Sequence, residues 1–414
     1  MLTRSDPYGV RLLFMFVLTT VILSSFAGSA DWSRIISDME RQPLRANSKQ
    51  QLAIAYNNYA IELSNQGSWR EAEAKLERAL ALDAGNAKFK RNLAMVYLNH
   101  AFELRQQRRS SSFSSYRHWD AKQLAGKAIR YDRNLAAAYI LIGDIEYDNQ
   151  RLAQAKVAWN KAKSLDTSQP GIEQRMQKLN AEYSVEEQFD RTGNSFFDLR
   201  YQDNINRSTA FDLSKTLSQA RRDVGRDLNY RPRHKIVVLI YSEEDFAQVR
   251  RVPDWVAGIY DGKIRVPFPI NPTAQATVKP TLYHEYTHAL IHDMTNNRCP
   301  VWLNEGIAEY QEAKLRPASL NGLRAAVRND RLVPLVNLDA GFKSPDPETA
   351  ALAYQQSYSI VYFLAKKYGF FRIRRTLEQL GRGENFEDAL EQEFRLSVAQ
   401  LEKQWKRWLP SLVK

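Results

Sequence analysis

Cysteine is almost absent from this sequence of 414 residues, in which Cys299 stands alone. A single cysteine cannot form an internal disulfide, so the apolar core has to stabilise the fold. A chain of this length is long enough to bury such a core, and it predicts roughly two or three domains. No cysteine stands near residues 28–30, which excludes the attachment of a lipid to a cysteine at that point.

The N-terminal apolar run is too short to make a typical membrane span. Residues 12–26 carry no charge, but these fifteen residues fall below the roughly 20 that a spanning helix needs. Arg4 and Arg11 precede the run and Gly28-Ser29-Ala30 follows it, a pattern typical of a secretory signal peptide. Residues 1–30 are therefore predicted to direct export, to the periplasm or out of the cell. An uncleaved membrane anchor is the alternative.

Acidic residues are outnumbered by basic ones. The chain has 59 Lys and Arg against 47 Asp and Glu, which gives a formal net charge of +12. A strongly basic exported protein is expected to favour an anionic envelope surface, although a merely solvated basic surface explains the charge equally well. No nucleic-acid motif is recognised, so the sequence predicts no nucleic-acid partner.

Histidine is scarce too, yet three of the six histidines fall close together, at positions 284, 288 and 292. The segment His284-Glu285-Tyr286-Thr287-His288 fits the pattern H-E-x-x-H. On a helix, His284 and His288 lie on one face and can bind one metal ion, while Glu285 can accept a proton from a water that the metal activates. The alternative is a helix with solvated histidines. His292 is interpreted as a partly buried helix residue, because catalytic zinc sites rarely have more than three protein ligands.

A third ligand is expected from the segment that follows the turn at Cys299-Pro300. Glu305 comes seventeen residues after His288, far enough for a second helix to return with a carboxylate. Gly306 would let this second helix approach the first closely. Glu309 is one helical turn beyond Glu305, so it could bind the far nitrogen of a ligand histidine. The alternative is that Glu309 is solvated or pairs with a basic residue such as Lys314.

These residues resemble those of the gluzincin metallopeptidases, and most closely those of the compact bacterial peptidase-MA-like domains. The resemblance lies in Pro300 to Tyr310 (P-x-W-L-x-E-G-x-A-x-Y), in 353–358 (A-Y-x-x-S-Y) and in the C-terminal helix 396–409, and it spans roughly residues 190–414. It implies that Glu305 is the third zinc ligand and that Glu309 orients a ligand histidine. The G-x-M-E-N exopeptidase motif of the related aminopeptidases is missing, so aminopeptidase activity is not implied.

Residues 31–188 resemble tetratricopeptide repeats, and their small residues would let paired helices pack closely. The first copy has Tyr56, Tyr59, Ala60, Leu63, Gly67, Ala72, Leu76 and Ala79 at the consensus spacings. The second starts at Lys90 and is interrupted by the basic, serine-rich stretch 105–115, and the third has Tyr139, Ile142, Gly143, Glu146, Gln150, Ala155, Trp159 and Ala162. Such a stack offers a concave surface to a protein partner or a peptide. An ordinary helical bundle is the alternative.

Residues 189–414 are predicted to form a gluzincin-like domain with a small mixed β-sheet lobe and a helical lobe. Strands are predicted at 196–201 and 235–241, helices at 208–227 and 243–251, and a hairpin at 258–267 around Asp261-Gly262. From Glu312 onward the pattern is helical. The fold class is therefore α+β, with an all-α tetratricopeptide solenoid in front.

The sequence thus predicts an exported zinc metallopeptidase that hydrolyses a peptide or protein substrate with one Zn²⁺ per chain. Glu285 would be the general base, and a tyrosine, Tyr354 or preferably Tyr358, would stabilise the developing oxyanion. One alternative is an interaction or assembly factor whose repeats bind a partner while the metal domain is structural or weakly active. Another is a zinc amidase that acts on a cell-wall cross-link, because the zinc chemistry would be the same.

Overall fold

The computed structural model describes residues 31–41, 45–107, 114–232, 234–249, 262–344 and 346–413, with the side chains of 106–118 left out. The predicted signal peptide, most of the serine-rich insertion and the first arm of the predicted hairpin lie outside the described residues. The chain divides into two compact units, between Tyr183 and Ser184. None of the helices in the described ranges is long and apolar enough to cross a membrane.

The first unit is helical wherever it is described. Its helices are α1 (Trp32–Glu40), α2 (Ala46–Asn65), α3 (Trp69–Leu82), α4 (Ala87–Gln107), α5 (Ser114–Tyr131), α6 (Ala136–Asp148), α7 (Leu152–Leu165) and α8 (Ile172–Glu186), the last of which runs into the second unit. Consecutive helices pack in pairs, α2 on α3, α4 on α5 and α6 on α7. The alanines predicted to allow close packing are fully buried: Ala60, Ala72, Ala79, Ala94, Ala121, Ala125, Ala128, Ala155 and Ala162.

Close packing between α6 and α7 depends on Gly143. A Cβ atom added at this glycine would lie 2.3 Å from Cδ1 of Trp159, so the indole ring occupies the space that a side chain would need. The indole N–H of Trp159 donates back to α6, to the carbonyl of Ile140 at 3.3 Å and to Asp144 at 3.1 Å. These hydrogen bonds hold the indole ring against α6, so moving the ring away would cost free energy.

We expect Gly143→Ala to lower the free energy of unfolding of the first unit by about 1–3 kcal/mol, because the added methyl group overpacks the Trp159 contact. Gly126→Ala in α5 is the matched control, since no described atom lies within 4 Å of its added Cβ. That control should raise the stability by up to about 1 kcal/mol through helix propensity alone. Urea denaturation followed by circular dichroism measures both. Equal effects of the two substitutions would contradict the assigned packing.

The second unit begins with a mixed sheet of four strands in the order β1-β2-β3-β4. Its elements are β1 (Asp190–Gly193), β2 (Phe197–Tyr201), α9 (Arg207–Asp227), β3 (Ile236–Ser242), α10 (Glu243–Val249) and β4 (Lys263–Phe268). Strand β1 pairs antiparallel with β2, whereas β2 with β3 and β3 with β4 are parallel. The small mixed sheet is confirmed. Strand β1 was not predicted, because its sequence Asp-Arg-Thr-Gly has no apolar alternation.

The rest of the second unit is helical, as predicted. Its α-helices are α11 (Pro272–Gln275), α12 (Val278–Thr295), α13 (Val301–Glu312), α14 (Asn321–Arg328), α15 (Leu338–Gly341), α16 (Pro347–Tyr368), α17 (Phe370–Arg382), α18 (Phe386–Phe394) and α19 (Val398–Trp408), with 3₁₀ turns at Leu335–Asn337 and Leu409–Ser411. Helix α12 is central, because it packs against α9, β4, α13 and α17. Its apolar side chains Leu282, Tyr286 and Leu290 are fully buried.

Gly306 allows a close helix contact, but with a different partner from the one predicted. A Cβ atom at Gly306 would lie 2.5 Å from the carbonyl oxygen of Ser357 and 2.8 Å from Cγ2 of Val361, both in α16. The prediction that this glycine brings α13 close to α12 is therefore wrong. A glycine marks a close approach in the sequence, but it does not say which element approaches.

Candidate metal centre

Helix α12 places His284 and His288 side by side. The two residues are one turn apart, their ring centroids lie 4.7 Å from each other, and the ring planes are almost perpendicular at 82°. Each side chain is only 12% exposed. The two imidazoles therefore face a common point that is largely shielded from water.

Glu305 reaches the same point from the neighbouring helix. The chain reverses after α12 because Asn296 and Asn297 adopt left-handed backbone angles, with φ of 51° and 59°, and Pro300 then opens α13. Oε2 of Glu305 lies 3.5 Å from Nε2 of His284 and 3.3 Å from Nε2 of His288. Ligand atoms of all three residues lie within 4.8 Å of one another.

The spacing and the bonding of these atoms fit a zinc ion. Tetrahedral zinc with ligands at about 2.0–2.1 Å places neighbouring ligand atoms roughly 3.3–3.4 Å apart, close to the two observed separations. Oε2 of Glu305 is buried and has no hydrogen-bond partner among the described residues. A buried carboxylate oxygen without a partner is costly, and a cation between it and the imidazoles would remove that cost.

The charges of the cluster are mutually dependent. Burial by itself would lower the pKa of His284, but Glu305 and Glu312 outweigh burial and hold that pKa well above its usual value. The pKa of His288 is raised in the same way by Glu305, against the effect of burial. Burial would likewise raise the pKa of Glu305, whereas the two imidazoles bring it far below its usual value. Positive charge at this point is therefore strongly favoured.

Asn304 contacts His288 at Nδ1, the ring nitrogen that does not face Glu305. Its Oδ1 lies 3.0 Å from Nδ1 of His288. An amide oxygen can only accept, so the contact assigns the N–H to Nδ1 and leaves the Nε2 lone pair for a metal. Sequence reasoning assigned no role to Asn304. Its position directly before the predicted ligand Glu305 was the one signal that could have found it.

Glu312, rather than Glu309, lies closest to the far nitrogen of His284. Nδ1 of His284 is 3.0 Å from Oε2 of Glu312 and 3.9 Å from Oε1 of Glu309. Nδ1 of His284 has no hydrogen-bond partner among the described residues, so its contact with Glu312 is an ion pair. Arg316 holds the other oxygen of Glu312 at 2.5 Å. The prediction named the acidic residue one turn after Glu305, whereas the geometry favours the one two turns after it.

Glu309 lies beside the ion pair of His284 and Glu312 but is less buried than Glu312. Its side chain is 27% exposed, against 11% for Glu312. Burial raises its pKa, and the carboxylates of Glu312 and Glu305 raise it further against the opposing effect of His284. The alternative partner considered for Glu309, Lys314, pairs with Asp227 instead.

Glu285 is half-buried and directly follows the first histidine on α12. Its carboxylate contributes to the raised pKa of His284, so it lies within electrostatic reach of the cluster. No hydrogen bond or ion pair engages Glu285 in the described part of the chain. The carboxylate is therefore free to accept a proton, as a general base requires.

The two candidate tyrosines have different surroundings. Tyr358 is buried in α16 with its ring 5.8 Å from that of Tyr362, and burial, Tyr362, Tyr310 and Glu309 raise its pKa. Tyr354 is 36% exposed and packs edge-on against Phe342 at 4.9 Å. The role of Tyr358 as an oxyanion donor stays a prediction. The backbone carbonyl of His292 accepts a hydrogen bond from the capping amide of Asn296. Among the described residues, His292 belongs to neither of the two groups that could hold a metal ion, His284-His288-Glu305 and His284-Glu309-Glu312.

Comparison with known proteins supports a metallopeptidase-like domain. Residues 216–411 match the model of the Peptidase MA superfamily. The match runs from within α9 to the end of the 3₁₀ turn Leu409–Ser411, so it includes α12 and α13 with all of the candidate ligands. Proteins of this superfamily are generally zinc-dependent. No curated protein and no solved structure matches the chain.

We expect Glu312→Ala to raise the zinc dissociation constant by roughly 10–100-fold, because it removes the closest partner of His284 Nδ1. Glu309→Ala is the matched control on the same helix face and should have the smaller effect. Competition with a chromogenic chelator measures both constants, and circular dichroism checks that the variants fold. A larger loss in Glu309→Ala than in Glu312→Ala would reverse the assignment.

Proposed function

We propose that the protein is a zinc-dependent metallopeptidase of the gluzincin type. One observation carries the proposal: Nε2 of His284, Nε2 of His288 and Oε2 of Glu305, which makes no hydrogen bond within the described part of the chain, converge at separations that suit tetrahedral zinc. The superfamily match over residues 216–411 supports the same class of reaction.

The residues have distinct tasks in this proposal. His284, His288 and Glu305 would hold one zinc ion per chain, and bound zinc supplies a Lewis acid that polarises the scissile carbonyl and activates a water. Glu285 takes a proton from the attacking water on its carboxylate and later passes it to the leaving amine. Asn304 accepts the N–H on Nδ1 of His288, and the Glu312 carboxylate, 3.0 Å from Nδ1 of His284, favours the N–H at that nitrogen, so that both Nε2 lone pairs face inward. Tyr358 remains the proposed donor to the developing oxyanion.

The helical first unit would dock the substrate or a protein partner. Paired helices with fully buried alanines at the repeat positions support a tetratricopeptide stack, which has no chemistry of its own. The N-terminal pattern of residues 1–30 supports export, and the net charge of +12 supports contact with an anionic envelope surface.

The metal assignment predicts one zinc ion per chain after purification without chelator and dialysis against zinc. We expect His284→Ala, His288→Ala and Glu305→Ala each to abolish stoichiometric zinc, because two remaining ligands cannot complete the site. Inductively coupled plasma mass spectrometry gives the metal content. A wild-type protein that stays metal-free after zinc dialysis would remove the basis of the proposal.

The catalytic assignment predicts that Glu285→Gln keeps its zinc and loses roughly 10²–10⁴-fold in hydrolysis rate, because the amide cannot accept the proton. An unbiased peptide library supplies the substrate, and Glu391→Gln, at an exposed position of α18, is the control for a carboxylate change elsewhere. Full zinc with no hydrolysis in the wild type would favour the interaction factor. Undiminished turnover in Glu285→Gln would show that another group is the base.

A further inference from the structure

Helix α13 carries three side chains of the metal centre, yet its own N-terminus has no local cap. Asn304, Glu305 and Glu312 all lie on this helix. The residue at its N-cap position is Pro300, whose side chain cannot accept a hydrogen bond from the free amides of the first turn. Unpaired backbone amides at the partly buried start of a helix destabilise the helix, so another group has to accept their hydrogen bonds.

Asp339 supplies the missing cap from a distant part of the chain. Its Oδ1 accepts a hydrogen bond from the backbone N–H of Trp302 at 2.8 Å, and its Oδ2 accepts one from that of Val301 at 3.2 Å. A negative charge at this end also interacts favourably with the helix dipole. Asp339 lies on the short helix α15, which Leu335 and Leu338 anchor in the core.

The capped turn leads directly into the metal ligands. Trp302 is buried, with 4% exposure, and Asn304 and Glu305 follow it within one turn. A first turn that frays would tilt Asn304 away from Nδ1 of His288 and shift Oε2 of Glu305 relative to both imidazoles. Metal ligands have to be held within roughly 0.5 Å of the binding geometry, so a small tilt weakens the site.

We propose that Asp339 is a positioning residue of the metal centre, which holds Glu305 and Asn304 in place by capping the start of α13. The inference rests on the proposed zinc site. It adds a carboxylate that binds neither metal nor substrate and that comes from outside the motif segments. A cap that only stabilised the fold would affect unfolding but not the metal affinity of the folded protein.

Three variants separate these roles. Asp339→Ala removes both acceptors, and Asp339→Asn keeps one oxygen that can still accept from Trp302. Asn385→Ala removes an ordinary cap, the Asn385 side chain that accepts from the amide of Asp388 in α18, a helix without candidate ligands. We expect the zinc dissociation constant of Asp339→Ala to rise roughly tenfold, at the low end for outer partners of metal ligands. Asp339→Asn should recover most of that loss, and Asn385→Ala should bind zinc like the wild type.

Zinc affinity is measured by chelator competition on folded protein, with thermal unfolding of the metal-free form in parallel. The positioning role is supported if Asp339→Ala and Asn385→Ala lower the unfolding temperature by comparable amounts while only Asp339→Ala binds zinc more weakly than the wild type. Wild-type zinc affinity in folded Asp339→Ala overturns it, as does a tenfold loss in Asn385→Ala. Should Asp339→Ala not fold, Asp339→Asn decides by its own zinc affinity. Because this variant keeps only one of the two acceptors, zinc binding weaker than in the wild type and in Asn385→Ala supports the role, and wild-type affinity overturns it. A wild type that binds no zinc refutes the proposed function instead.

Discussion

The arrangement of the second unit depends on one electrostatic constraint, the buried carboxylate of Glu305 facing two buried imidazoles. Its inner oxygen has no hydrogen-bond partner among the described residues, and both histidines have raised pKa values because that charge is next to them. In a low-dielectric interior this charge has to be balanced, by protons on the imidazoles or by a cation between the three groups. The packing of α12 against α13 is what brings the charge and the imidazoles together.

Helix α13 is accordingly held on several sides. Gly306 lets the backbone of α16 approach within contact distance, so α13 cannot shift toward that side. Asp339 holds its first turn, and Arg316 fixes Glu312 near its end. Most of these contacts join residues far apart in sequence, so the ligand geometry depends on the whole helical lobe. Rigid elements of this kind are what a metal site needs, because ligand positions tolerate little error.

Much of this could be predicted from local pattern. The H-E-x-x-H spacing is set by the helical repeat, which puts His284 and His288 on one face whatever surrounds them. The apolar residues at 196–201 and 235–241 indicated β2 and β3, and the predicted burial of β3 is confirmed. Strand β1 was missed because a short exposed edge strand needs no apolar side chains; it is defined by its backbone pairing with β2. The docking role of the repeats and the export of the chain stay predictions.

The sequence by itself determined the chemical groups and their spacing along each helix: two imidazoles one turn apart, a carboxylate on the next helix, and a base beside the first histidine. Only the tertiary structure decided which groups contact Nδ1 of the two histidines. Glu309 and Glu312 lie on the same face of α13 and are equivalent candidates in the sequence, but the packing of α13 against α12 brings Glu312 nearer to His284. The partner of Gly306 and the cap from Asp339 were decided in the same way, because long-range packing leaves no mark in local spacing.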